Sequence, residues 1–264
     1  MLNLKKLNYI EQNMSSVITT TRYIFKDLND AAANINTPHE RPSGIHASEV
    51  ASCLRKAQYT YFGAEKKHRS TAYWSRILRM GEATHNLLQD EFRYLNGNTG
   101  LKADIEVNIN PKTSETARKY NVHGHADVVL TVRDCMDSSL DMKILVEIKS
   151  ISEKGFEELK SPKAEHVQQA MLYMKCLDIP VGWIIYWNKG TQVLSEPEAP
   201  FVFPFKESIW NLVENRILKV INSTSYSEQS LLDREEGMHC KFCSYAHLCQ
   251  PKILSRRKKA EDPF

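Results

Sequence analysis

Gly124-His125-Ala126-Asp127-Val128-Val129-Leu130, then Lys143-Ile144-Leu145-Val146-Glu147-Ile148-Lys149, is the stretch that decides how this chain folds. Both runs read as apolar strands, yet Asp127, Glu147 and Lys149 are embedded in them. Ionised groups are rarely buried unless they pair with each other or hold a metal. An ion pair across a sheet accounts for one Glu–Lys pair but poorly for three charged groups inside aliphatic strands. Two carboxylates and a lysine brought together make a divalent-metal site beside a proton-handling amine, which is equipment for cutting phosphodiester bonds.

Alternate residues of a strand share a face, so Glu147 and Lys149 point the same way, as do His123, His125 and Asp127. If the two strands pair, Asp127 and Glu147 converge on one cation. Mg²⁺ or Mn²⁺ takes oxygen ligands and keeps waters, and the backbone carbonyl of Ile148 is a natural further ligand. Lys149 would orient the attacking water or stabilise charge on the phosphate. His85 lies on the apolar side of a helix, where histidines are usually core residues; beside an oxygen-rich site it becomes a candidate ligand that tilts the site towards Mn²⁺. Gln169 and Tyr173, four apart on a later helix, share a face and would contact phosphate, the lysine or the DNA backbone. Gln168 is adjacent and is an alternative amide.

Working outward, the spacing predicts helices over 46–62, with Val50, Leu54, Ala57 and Tyr61 on one face, and over 72–94, with Ile77, Leu78, Gly81, His85 and Leu88 on one face. Leu101–Asn110 alternates as a half-buried strand, 121–132 and 142–150 are further strands, and 133–141 is a polar turn, so the three form an antiparallel meander. Helix returns at 164–177, a short apolar strand follows at 182–187, Asn188–Thr191 is a turn, and 192–205 is a proline-interrupted strand. A final amphipathic helix covers 206–223. A crossover helix after the third strand lets the fourth pair in parallel. The expected architecture is α/β: one mixed central sheet flanked by helices, with an N-terminal helical region and a C-terminal cysteine cluster. Residues 1–40 form an N-terminal extension without a readable role, 41–251 the main domain and 252–264 a basic, disordered tail.

The 264 residues carry a formal net charge of +3, all of it from the tail, so the body is balanced and a broad basic nucleic-acid surface is not expected. No apolar stretch is long enough to span a bilayer, and no apolar core follows Lys5 and Lys6, so the expected location is cytoplasmic, without a membrane or a secretory signal. Disulfides are then a poor explanation for the 6 cysteines. Cys240, Cys243 and Cys249 form a C-x₂-C-x₅-C run that asks for a metal. Three thiolates need a fourth ligand, from Cys53, Cys135, Cys176, His239 or His247. Cys53 would clip the two ends of the chain together; His247 would complete a local zinc knuckle. Spacing leaves zinc and iron–sulfur both open.

The ordered set of His85, Gly124-His125-Ala126-Asp127, Glu147-Ile148-Lys149, then Gln169 and Tyr173 resembles the PD-(D/E)xK nucleases of the RecB-like branch. An early cysteine plus the C-terminal trio resembles that branch's iron–sulfur subgroup, which includes CRISPR-associated iron–sulfur exonucleases, the AddB nuclease domain and eukaryotic helicase-nucleases. The resemblance spans roughly residues 46–251. It implies a restriction-endonuclease-like core and a divalent-metal-dependent deoxyribonuclease. Asp127, Glu147, His85 and the Ile148 carbonyl would be metal ligands, Lys149 the catalytic lysine, and Gln169 and Tyr173 its helix partners. It also implies a [4Fe–4S] cluster on Cys53, Cys240, Cys243 and Cys249, with Zn²⁺ the alternative. Ala126 stands where the family name has proline. No helicase motor is present, so the chain would act alone or as a subunit. Its implied substrate is DNA, as ends or single strands, in recombination, replication, repair or CRISPR-linked processing, with a helicase, recombinase or CRISPR integration partner. Two other classes remain: a non-catalytic DNA-binding or assembly subunit, and a zinc-containing binding protein.

Overall fold

The computed structural model describes residues 26–28, 30–31, 41–67, 71–98 (backbone alone for 96–98), 101–132, 142–195, 201–227, 231–235, 240 and 243–249. The expected tail, the 133–141 turn, Cys135, His239 and nearly all of the N-terminal extension lie outside them. The chain divides into two compact units, Met1–Glu40 with His68–Met80, and Arg41–Lys67 with Gly81–Phe264. In the first unit, 26–28 and 30–31 are helical, and Thr71 caps a long helix by accepting the Trp74 N–H on its hydroxyl at 3.2 Å.

The elements of the second unit, in chain order, are α1 (Ala47–Ser52), α2 (Leu54–Tyr61), the continuation of α3 (Ala72–Asn98), β1 (Leu101–Ile109), α4 (Glu115–Tyr120), β2 (Gly124–Val132), β3 (Met142–Ile151), α5 (Glu153–Glu157), α6 (Ala164–Leu177), β4 (Val181–Asn188), β5 (Phe201–Pro204), α7 (Glu207–Ile221) and α8 (Ala246–Cys249). The five strands make one sheet in the order β1-β2-β3-β4-β5. The β1–β2, β2–β3 and β4–β5 pairs are antiparallel, and β3–β4 is parallel across the α5–α6 crossover. This is the expected mixed α/β sheet flanked by helices.

Both faces of the central strands are covered, which is why β2 and β3 read as nearly continuous apolar runs. Leu88 and Phe92 of α3 pack on Val128, Leu130, Val146 and Ile148. On the other cluster, α1, α6 and α7 pack around Val129 and Leu145. Val107 and Ala126 pair opposite one another, as do Ile105 and Val128, but the ladder skips the Glu106 position, where φ is 50°.

Three local readings change. The single helix expected over 46–62 is broken at Cys53, whose backbone is extended (φ −155°, ψ 112°) and serves as C-cap of α1 and N-cap of α2. Six-residue α4 interrupts the expected β1–β2 loop. Its Ser114 hydroxyl accepts the Ala117 N–H at 3.3 Å, and Asn121 ends it in the left-handed region (φ 53°). The proline-rich 192–205 segment yields only β5 and an isolated bridge from Leu194 to Trp187 among its described residues. Along α3, Leu88 is buried and His85 half-buried, while Leu78 is 48% exposed.

Candidate active site and cysteine pocket

The antiparallel register of β2 and β3 is regular from Val132↔Met142 to Val128↔Val146. One more step would set Asp127 against Glu147, and there the ladder stops. Instead the Asp127 side chain takes the place of a backbone acceptor: its Oδ2 accepts the Ile148 N–H at 2.7 Å. Its Oδ1 lies 3.6 Å from Nδ1 of His85, which α3 brings over this end of the strands. Burial raises the Asp127 pKa, but the His85 hydrogen bond, the Lys149 charge and the Ile148 N–H outweigh it, and the carboxyl is held below its ordinary value. His85 moves the opposite way: burial opposes its charge, and the Asp127 carboxylate more than compensates, so its pKa rises.

Glu147 is 1% exposed. Its Oε1 accepts from Nζ of Lys149 at 2.5 Å and from Nε2 of Gln169 at 2.5 Å. Its Oε2 is buried with no hydrogen-bond partner among the described residues. Burial, then the charge of Asp127, pushes the Glu147 carboxyl up to about 7. Burial lowers the Lys149 pKa, but the two carboxylates prevail and it stays above its ordinary value. The structure therefore brings His85, Asp127, Glu147, Lys149 and Gln169 into one cluster, with Ile148 supplying its N–H. Between the two adjacent amides, Gln169 is the one that reaches Glu147; Oε1 of Gln168 is buried without a partner among the described residues.

Tyr173 is 5% exposed and lies within the core cluster. Its hydroxyl crosses the start of β2 so closely that a Cβ at Gly124 would sit 2.6 Å from it, which is why this position is glycine. Burial and then the charges of Glu147 and Asp127 raise its pKa, keeping it a neutral phenol. His125 is exposed, while His123 hydrogen-bonds Asn121 at 2.9 Å, so neither joins the carboxylates.

Three neighbours of the cluster escape a motif reading. Gln89, one turn beyond His85 and 2% exposed, donates to Oε1 of Glu106 at 2.5 Å and lies 3.5 Å from the Asp127 carbonyl. His166 precedes Gln169 by one turn of α6, and Nδ1 of its ring is 2.8 Å from the Tyr186 hydroxyl. Tyr186 stands opposite Lys149 in the β3–β4 register. The i, i+3 spacing of His166 and Gln169 and the placement of Tyr186 in an apolar strand were the available signals.

A second cluster forms where the C-terminal segment docks on α2. Cys53, Cys240, Cys243 and Cys249, all free thiols, line one pocket together with Arg55, Lys56, Tyr59 and Arg234. The segment is tied down by the Arg55 Nε–H donated to the Leu232 carbonyl at 2.7 Å, by Thr60 and Tyr245 hydroxyls 3.0 Å apart, and by the Lys67 N–H to the Ser244 carbonyl at 2.9 Å. Arg55 also reaches Sγ of Cys249 at 3.8 Å. The break between α1 and α2 is what puts Cys53 at this pocket. Both ring nitrogens of His247 are buried without a partner among the described residues. Cys176 is buried in the main core instead, and burial pushes its thiol up to about 12. Among the described residues, no three His, Cys, Asp or Glu side chains stand already closed to ligand spacing on one ion.

No family model matches the chain, and no curated protein matches it in sequence. Solved structures similar to it include the following three. One is SSO0001, 18% identical, covering 87% of this chain and 97% of that one with a TM-score of 0.45. Another is LHK-Exo in complex with dAMP, 15% identical, covering 67% and 86% with a TM-score of 0.43. The third is the alkaline exonuclease LHK-Exo from Laribacter hongkongensis, 12% identical, covering 89% and 98% with a TM-score of 0.42. No helix among the described residues is long and apolar enough to cross a membrane.

Proposed function

We propose that this chain is a divalent-metal-dependent deoxyribonuclease of the PD-(D/E)xK type, RecB-like branch, acting on DNA ends or single strands. The observation that carries the reading is the Glu147 carboxylate, buried beside Asp127 with one oxygen unpartnered among the described residues. A buried acceptor without a donor costs roughly 1–3 kcal/mol, more when charged, so such a site calls for a cation. The donor set of Asp127, Glu147, the Ile148 carbonyl and one imidazole, His85, suits Mg²⁺ or Mn²⁺. Bound there, the ion would supply Lewis-acid polarisation of the scissile phosphate.

The remaining chemistry belongs to side chains. Lys149, cationic and anchored on Glu147, carries a proton donor next to where charge develops on the phosphate. Gln169 holds the shared Glu147 oxygen, which fixes the carboxylate's rotation and leaves Oε2 buried without a donor among the described residues. His85 and the Ile148 N–H hold Asp127 ionised. Covered faces on both sides of β2 and β3 keep bulk water from the anchoring ends of these side chains.

The four thiols around one pocket support a cluster-type metal, a [4Fe–4S] centre in our reading, clipping the C-terminal segment to α2 in a structural role. Iron and sulfide in anaerobically purified protein would support it; zinc alone would replace it with the zinc alternative.

The deciding assay is degradation of end-labelled linear DNA in Mg²⁺, Mn²⁺ or EDTA, beside Lys149→Ala. Metal-dependent loss of label that the variant lacks is expected. Absence of cleavage by the wild-type protein on single- and double-stranded DNA would overturn the reading in favour of a binding subunit.

A further inference from the structure

The Tyr186 hydroxyl, buried in β4, makes two contacts that together fix the state of a histidine. Its oxygen accepts the Lys163 N–H at 3.0 Å, and it lies 2.8 Å from Nδ1 of His166. The buried phenolic hydrogen needs an acceptor, and Nδ1 is the acceptor within its reach among the described residues. Nδ1 is then an acceptor, so the ring is neutral and its proton sits on Nε2. Burial, then the Lys149 and Lys163 charges, holds His166 far below the ordinary histidine range, at about 3, in agreement. Nε2 faces Oε1 of Glu165 at 3.7 Å, too far for a hydrogen bond. Glu165 is 46% exposed, so it can turn into water. The His166 side chain is 16% exposed, which leaves an edge of the ring at the surface.

A fixed, neutral N–H donor next to a lysine is suited to an anionic oxygen. It adds a hydrogen bond where a second cation would repel Lys149. Resting on the nuclease reading above, we infer that Nε2–H of His166, oriented by Tyr186, binds a phosphate oxygen of the DNA strand on the Lys149 side of the site. His166 is thus a substrate-binding residue, and Tyr186 a positioning residue behind it.

The test compares wild type, His166→Leu, His166→Gln and Tyr186→Phe. Binding of a fluorescent 12-nucleotide single strand is followed by anisotropy in EDTA over a salt series, KM and kcat are measured in Mn²⁺, and Tm is recorded for each protein. His166→Leu should raise Kd and KM about tenfold with kcat nearly unchanged, and His166→Gln, which keeps an acceptor and a donor, should restore binding to within about threefold. Tyr186→Phe should fall between them. Because the donor is neutral, the slope of log Kd against log salt should not move, whereas loss of a cationic contact would lower it by about 0.7. Wild-type KM in His166→Leu, a changed salt slope, or a loss of binding that tracks a fall in Tm and is not restored by glutamine would overturn the inference while leaving the nuclease intact. A wild-type protein that neither binds nor cuts DNA would overturn both.

Discussion

The Ile148 N–H donates to Oδ2 of Asp127 across 2.7 Å, so a carboxylate stands where the β2–β3 ladder would otherwise continue. Asp127 therefore has two separable jobs, closing a backbone valence and carrying charge. Asparagine keeps an acceptor oxygen for the N–H and loses the charge; alanine loses both. We expect Asp127→Asn to fold with stability near wild type and to lose metal-dependent cleavage. Asp127→Ala should lose cleavage and also about 1–3 kcal/mol of stability, because a buried N–H is stranded. Urea denaturation beside the cleavage assay separates the two; equal stability in both variants would refute the structural job.

Lys149 tests the chemistry more directly. Its ammonium is bound to Glu147 at 2.5 Å and is held cationic by two carboxylates. Lys149→Ala should lower the cleavage rate by about 10²–10³ or more, the scale for removing one preorganised electrostatic contact. The fold should survive, since Glu147 without its lysine can take up a proton. Circular dichroism and gel-based cleavage with Mn²⁺ check this. A variant that is folded and cuts like wild type would remove Lys149 from the mechanism.

The same two residues show what a sequence can disclose. Charged groups inside aliphatic runs are legible because burial of charge is costly, and the period-2 pattern sets their faces; hence Asp127, Glu147, Lys149 and the mixed sheet were readable. His166 and Tyr186 were not, because a histidine on an amphipathic helix and a tyrosine in an apolar strand are ordinary core residues until a third dimension joins them. Helix α4 escaped because one and a half turns carry no periodicity, although Ser114 and Asn121 mark its caps. The helix break at Cys53 escaped because the apolar spacing of Val50, Leu54 and Ala57 runs through it. Tyr173 shares its helix face with Gln169 as the spacing indicates, but its depth, 5% exposed, was not legible from that spacing.

Gln169 and Gln168 give a sharp internal control. Gln169 donates to the Glu147 oxygen that Lys149 also uses, at 2.5 Å. Gln169→Ala should reduce kcat about tenfold or more and weaken Mn²⁺ binding, by freeing the carboxylate to rotate. Gln168→Ala should leave both within about twofold. Reversed effects in steady-state kinetics would transfer the role to Gln168.

Glu147 also dictates how the metal-free protein responds to pH. Its folded-state pKa, about 7, lies above the ordinary 4.5, so the folded state holds the proton more tightly than the unfolded one. The stability this contributes is complete below about 4.5 and is lost as pH rises towards 7, on the order of 3 kcal/mol in all. His85, also raised, adds a loss of the same sign, but only above its ordinary 6.5. Asp127, shifted down, acts in the opposite sense below 3.8, outside this window. His166, held at about 3, acts in the opposite sense between about 3 and 6.5 and offsets Glu147 there, so the Glu147 contribution is read as a difference: in EDTA, the Tm of wild type minus that of Glu147→Gln should fall as pH rises from about 4.5 to 7. Added Mn²⁺, which binds the ionised carboxylates, should raise Tm more at pH 8 than at pH 5.5. A Tm difference between wild type and Glu147→Gln that stays constant over this range in EDTA would show that Glu147 is ionised throughout without a cation.

At the second cluster, the prediction rests on Cys53 sitting 187 residues ahead of the first cysteine of the C-terminal trio yet lining the same pocket. A metal there would close a long loop, and closing long loops stabilises chiefly by restricting the unfolded chain. Cys53→Ser should lose the bound metal, and with it the docking of the 240–249 segment on α2, read as faster proteolysis near the C-terminus and a lower Tm. His247→Ala should keep the metal if the four thiols are the ligands. Metal analysis of the two variants decides between the sets. Retention in Cys53→Ser with loss in His247→Ala would assign the site to the local knuckle of Cys240, Cys243, His247 and Cys249.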